Sequence, residues 1–276
     1  MAMDFIKKIW YYLIMIGFLI RKTLYDLWDN MFKVVILNLM FLACIAIPIF
    51  LPELFAMFTD SFVLQLVLRA IGILACSVFL STAAYTIKAI SDYSTFSFKE
   101  FFMNFKKAWL PGIFMGVFVV FLFIVLTIVL PFYVEMEPVI VGLGLAAVIF
   151  WAVIFSLISF QYFFTVYTRL GKNSIRKTFR KCMIISLDNT GLSIFMILHN
   201  LLVLLISMLF AMMFPGPVGV LLYLDEALRL RLLKYDYLEE NPDANRRKIP
   251  WDALLIDERE KTGTRSFRSF IFPWKD

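Results

Sequence analysis

Any chemistry in this chain begins with a few polar residues placed inside long apolar runs. Arg69 interrupts the run 62–87, and Asp225 and Glu226 close a short apolar stretch at 218–224. Arg229 follows Asp225 by four positions, so the two share a helix face and can neutralise each other. An unpaired charge in hydrocarbon costs roughly 2.5–3.5 kcal/mol on insertion scales. Arg69 therefore has three open readings. It snorkels to the outer headgroups, or it pairs with Asp225 or Glu226 and locks the second span to the last. In the third reading these charges line a substrate or ion site in an outward-facing cavity. His199 and Asn200 fall within the apolar run 191–214. Intramembrane His and Asn ordinarily bond across helices or to backbone, and Asn38 in the first run is their natural partner. Their functional reading is a proton relay or a substrate contact.

Little else has the look of a reaction centre. His199 is the only histidine, and Cys44, Cys76 and Cys182 are scattered with no C-x-x-C. No metal or cofactor is expected. P-loop, H-E-x-x-H, G-x-S-x-G and G-x-G-x-x-G patterns are lacking, so a non-enzymatic protein is expected.

The elements that must position these residues follow from composition. Apolar residues make up 62% of the chain and charged residues 17%, gathered between apolar runs as a bilayer requires. The expected fold is all-α, a polytopic transmembrane helical bundle. Spans are expected at 34–52, within 62–87, and at 110–131, 139–166 and 191–214. A sixth, amphipathic span is expected at 218–237, with a surface-lying helix as its alternative. Residues 1–30 hold an apolar stretch of twelve residues, ~18 Å as a helix, which is too short to cross roughly 30 Å of hydrocarbon. They read as an amphipathic helix in the interface, the alternative being a signal sequence. The bundle occupies 31–238 with loops at 88–108 and 167–190, and a polar tail follows at 239–276.

Segments 53–61 and 132–138 carry Glu53, Asp60, Glu135 and Glu137 and no Lys or Arg. The intervening loops carry the cations, so the N-terminus, both long loops and the tail are expected on the cytoplasmic side. The net charge of +6 is an orientation signal beside spans, and no nucleic-acid partner is expected. Ser97 and Ser174 each look like the N-cap of an amphipathic loop helix. Phe98, Lys99, Phe102, Lys106 and Lys107 form one such face, and Arg176, Lys177, Arg180 and Lys181 form another. Both fit the bilayer's anionic lipid headgroups as well as a docked protein. Phe270, Phe272 and Trp274 end the tail as an aromatic cluster that folds back or inserts into a partner groove.

Three stretches together resemble the YesL-like family of bacterial integral membrane proteins, a domain of unknown function. They are VVILNLMFLACIAIPIF (34–50), STAAYTIKAISDYSTFSFKEFFMNFKKAWLPGIFMGVF (81–118) and FFTVYTRLGKNSIRKTFRKCMIISLDN (163–189). The likeness covers about residues 25–240. It implies a bacterial cytoplasmic-membrane location and an association with carbohydrate uptake, with sugar ABC transporter subunits as partners. It carries no catalytic residues. The expected role is an accessory or regulatory protein that binds partners at the cytoplasmic face. The alternative is a small transporter or channel using Arg69, Asp225, Glu226, Asn38 and His199.

Overall fold

The computed structural model describes residues 2–171, 174–246 and 249–265, with side chains from residue 13 onward. Regular structure among these residues is helical. Helix α1 (Ala2–Asp29) passes through Asn30 almost directly into α2 (Met31–Ala56), and α3 (Phe62–Ser91) returns. Next, α4 (Phe98–Ile124) continues through a π-helical stretch (Val125–Val129) into α5 (Leu130–Val134). Then come α6 (Val139–Phe160), the short α7 (Phe163–Arg169), α8 (Ile175–Asp188), α9 (Thr190–Met208) and α10 (Gly216–Glu240). Two short helices, α11 (Trp251–Leu254) and α12 (Ile256–Thr262), close the described chain.

Five stretches are long and apolar enough to cross a membrane: α2, α3, Phe98–Val134, Val139–Arg169 and α9. No more than 33% of any of their most apolar windows is buried within the protein. Side chains such as Phe58, Ile140 and Leu209 point outward, and only hydrocarbon satisfies that surface. The chain is a multi-pass membrane protein with an all-α bundle.

Three serines start helices as side-chain caps, because each hydroxyl accepts an N–H that the first turn leaves free. Ser61 accepts from Leu64, Ser97 from Glu100 and Ser174 from Lys177. The Glu100 carboxylate in turn accepts the Ser97 N–H, completing a capping box. Packing between α2 and α3 is antiparallel, since Phe41 meets Phe79, Gly72 meets Pro48 and Arg69 meets Glu53. The α3–α4 pair is antiparallel too, and it is close. A Cβ on Gly112 would stand 2.5 Å from the Val78 Cα.

Helix α10 is the core. Its face from Gly216 to Lys234 is buried against α1, α2, α3, α7 and α9. It is a continuous helix where a sixth span was expected, but it does not begin at the Arg69 end. Its first turn is bonded to Asn38, seven residues into α2 from the opposite end, about 10 Å along the axis. Helix α9 lies antiparallel to α10, with Ser207 bonded to Gly216, the His199 ring against Tyr223 and Asn189 bonded to Tyr235. Depth counted along the chain places α10 wrongly, because the α9–α10 turn returns at the level of Asn38 rather than at the Arg69 end. Helix α1 is tied into the bundle as well. Met15, Leu19, Lys22 and Leu27 are buried, and this helix packs on α10.

The segment after α10 folds back. Ile249, Trp251 and Leu255 are buried, α11 and α12 lie along α1, and Arg265 bonds Asp29 through both terminal nitrogens at 2.6 and 2.7 Å. Phe270, Phe272 and Trp274 lie outside the described residues.

Candidate functional site

Asn38 sets where α10 starts. Its Nδ2 donates to the carbonyls of Met213 and Pro215 at 2.9 and 2.8 Å, and its Oδ1 accepts the Val218 N–H at 3.0 Å. Gly216 sits against this amide with φ +63, and a Cβ there would be 2.4 Å from the Asn38 Nδ2. Only glycine takes that backbone and that proximity without strain. The Asn38 side chain is thus consumed by backbone groups. The expected bond between Asn38 and His199 is absent. His199 Nδ1 instead stands 3.5 Å from the Asn200 Oδ1, and its ring packs on Tyr223 and Phe195.

From that start, α10 carries Asp225, Glu226 and Arg229 to the C-terminal end of α3. There the last carbonyls of α3 have no helical partners and carry the negative end of its dipole, which draws cations. Lys22 from α1 and Arg229 from α10 both donate to the Ser91 carbonyl, at 3.0 and 2.6 Å. Arg169 from α7 donates to the Ser91 hydroxyl at 2.6 Å. Each cation then finds a carboxylate. Arg169 grips both oxygens of Asp225, at 2.9 and 2.5 Å, and reaches Asp92 at 2.9 Å. Lys22 pairs with Glu226 and, at 2.7 Å, with Asp26. Arg229 pairs with Glu258 of α12 at 2.8 Å.

Tyr93, in the left-handed conformation at φ 58, turns its ring between Lys22 and Arg229, whose charges lie 4.3 and 4.9 Å from the centroid. Its hydroxyl bonds Glu258 and Thr262 at 2.9 and 3.0 Å, which ties the folded-back segment to the network.

Of the three readings of Arg69, the pair with Asp225 or Glu226 is not formed. Arg69 bonds Glu53 at 3.0 Å at the far end of the α2–α3 pair, where both are partly exposed. The expected i, i+4 pairing of Asp225 with Arg229 is also replaced, because each residue has a better-oriented partner on another helix. Lys22, Asp225 and Glu226 are at most 1% exposed. Such charges fold only when paired and hydrogen-bonded, and here they are.

The network holds five carboxylates (Asp26, Asp92, Asp225, Glu226, Glu258) against three cations (Lys22, Arg169, Arg229). Burial pushes the Asp26 carboxyl above its usual range, opposed by the charge and hydrogen bond of Lys22. Burial likewise pushes the Tyr93 hydroxyl up, which keeps it a neutral donor. A second, smaller cluster joins α8 to α10. Burial raises Asp188, but Lys234 at 3.2 Å and the Tyr235 hydroxyl at 3.0 Å outweigh it, and the carboxyl titrates below its usual range.

No family model, curated protein or solved structure matches this chain. The site is thus read from its own geometry. Its groups are all engaged with one another, which suits a clamp joining α1, α3, α7, α10 and α12.

The loop helices present a different surface at the same end. Phe101 is buried against Phe79 and Phe98 is half-buried on Phe96, while Lys99, Phe102, Lys106 and Lys107 remain exposed. On α8 the buried face is Thr178, Cys182, Ile185 and Ser186, leaving Arg176, Lys177 and Arg180 exposed and Lys181 at the margin. Sequence reasoning missed Lys22, Asp26, Ser91, Asp92, Tyr93, Arg169 and Glu258 as network members. Lys22 and Arg169 belong in the sequence to the basic charge that sets orientation, and nothing local marks them as buried.

Proposed function

We propose that this chain is a non-enzymatic accessory or regulatory membrane protein that binds a partner protein at its cytoplasmic face. One observation carries the reading. The buried carboxylates that a transporter would present to solute are closed by Arg169 and Lys22, whereas the aromatic and basic faces of α4 and α8 stand open. A transporter or channel would require Asn38, His199, Asp225 and Glu226 around a wet path. The cavity within the bundle is instead lined by apolar side chains together with Ser77 and Gln161. The excess of Lys and Arg on the loops at this end supports a cytoplasmic placement for the N-terminus, both long loops and the folded-back tail. The likeness to YesL-like proteins supports a bacterial cytoplasmic membrane and a sugar ABC transport system as the partner. Anionic lipid headgroups against Lys99, Lys106 and Lys107 would hold the first turns of α4 at the membrane surface while α8 meets the partner.

The test is purification from native membranes in mild detergent, with mass spectrometry of the co-purifying chains. Transporter subunits that are lost on R176E/R180E support the reading. A homogeneous preparation that moves solute in proteoliposomes, and stops doing so in Asp225→Asn, overturns it.

A further inference from the structure

The helices leave space between them. A cavity of about 560 Å3 lies between α2, α3, α4, α9 and α10, floored by Leu221 and Leu224 of α10. A second, of about 410 Å3, runs as a groove between α4 and α6. They share Met115, Val119, Phe160 and Gln161, so the groove and the central cavity meet at these four residues. At its outer end the groove is bordered by Leu126 and Leu157, which are 43% and 49% exposed and belong to the apolar surface that faces the bilayer. Beside the groove α4 widens into its π-helical stretch, a distortion that recurs at functional positions in helices.

Something fills this volume. Protein interiors pack as densely as organic crystals, and lining atoms facing empty space lose their dispersion contacts. Water is a poor filler, because each molecule needs two to four polar partners. The Gln161 amide nitrogen already donates to the Ile158 and Ser193 carbonyls at 2.9 Å each, so the lining of the central cavity offers water only the unpaired Gln161 Oε1 and the Ser77 hydroxyl. The volume falls within the range of ligand sites, roughly 300–1,000 Å3, which are predominantly apolar. The medium at the groove mouth is hydrocarbon. We propose that the groove and cavity together bind one acyl chain of a bilayer lipid, which enters between α4 and α6 and ends against α10. This site is independent of the docking function above.

The test uses the full chain in phospholipid vesicles that contain a phospholipid with a diazirine near its chain terminus. After irradiation, labelled residues are mapped by mass spectrometry. Lipid surrounding the bundle labels outward residues such as Ile140 and Val148 whatever the cavity holds. A chain bound inside also labels Leu221 and Leu224, which are 5% and 4% exposed and shielded from bulk lipid. Cys76→Phe fills the cavity, and Met115→Trp blocks the shared neck. Each is expected to abolish the α10 label and leave the Ile140 label intact. Labelling of the wild-type chain confined to outward residues overturns the proposal, even if neither variant folds. Undiminished α10 labelling in both folded variants overturns it as well.

Discussion

Replacing Asp225 with Asn leaves the Arg169 guanidinium in a pocket built for a carboxylate. Removing one member of a buried pair strands the other, at a cost of about 3–5 kcal/mol. Asp225→Asn should therefore lower thermal stability in detergent sharply. Arg169→Met with Asp225→Leu should recover most of the loss, since neither charge then remains to be buried. Arg69→Gln tests the opposite case. Its pair with Glu53 is 37% and 66% exposed, so the expected change is about 0–1 kcal/mol. Equal losses from Asp225→Asn and Arg69→Gln would contradict the network. Acid sensitivity belongs at this scale too. The Asp188 carboxyl titrates lower in the folded chain than in the unfolded one. Its contribution is present above the unfolded value and is lost as pH falls through the depressed folded value. Melting curves taken down through the acidic range should show that loss in the wild type and a smaller one in Asp188→Asn.

At the scale of elements, close approach and the folded-back segment bear the load. Gly112→Ala places a methyl group 2.5 Å from the Val78 backbone, whereas a Cβ on Gly144 of α6 meets nothing within 4 Å. Gly112→Ala should destabilise the α3–α4 pair by about 1–3 kcal/mol through overpacking. Gly144→Ala should be neutral or slightly stabilising by helix propensity. Denaturant titration of the two variants side by side checks the difference. Trp251→Ala removes a buried indole next to α1, where such truncations cost about 3–5 kcal/mol. Faster amide exchange in α1, with α6 unchanged, is the expected signature.

Element positions were readable in the sequence because apolar runs and serine caps are local signals. The spans at 34–52, 62–87, 110–131 and 139–166 fall on α2, α3, α4 and its continuation, and α6 with α7. Partners were not readable. Lys22 and Glu226 stand 204 positions apart, and Arg169 and Asp225 stand 56 apart. No periodicity reports contacts over such distances. Counting depth along each run also assumed that every helix starts at a membrane face, and the Asn38 amide holds the α10 start away from one.

For the whole molecule, two ends of opposite character result. Glu53, Asp60, Glu135 and Glu137 mark one end. At the other, Lys22, Arg169 and Arg229 are sealed inside, while Lys106, Lys107, Arg176 and Arg180 remain available. The ionic network makes that second end rigid, since it fastens the first helix and the folded-back segment to the centre of the bundle. A rigid, basic, aromatic-edged face is suited to binding, because little ordering remains to be done when a partner arrives. The most direct measurement is photo-crosslinking in living cells, with a photoreactive residue placed singly at positions 106, 180 and 58. Protein adducts from 106 or 180 and none from 58 are the predicted result. Protein adducts from 58 alone would contradict it, and so would lipid adducts alone at both 106 and 180.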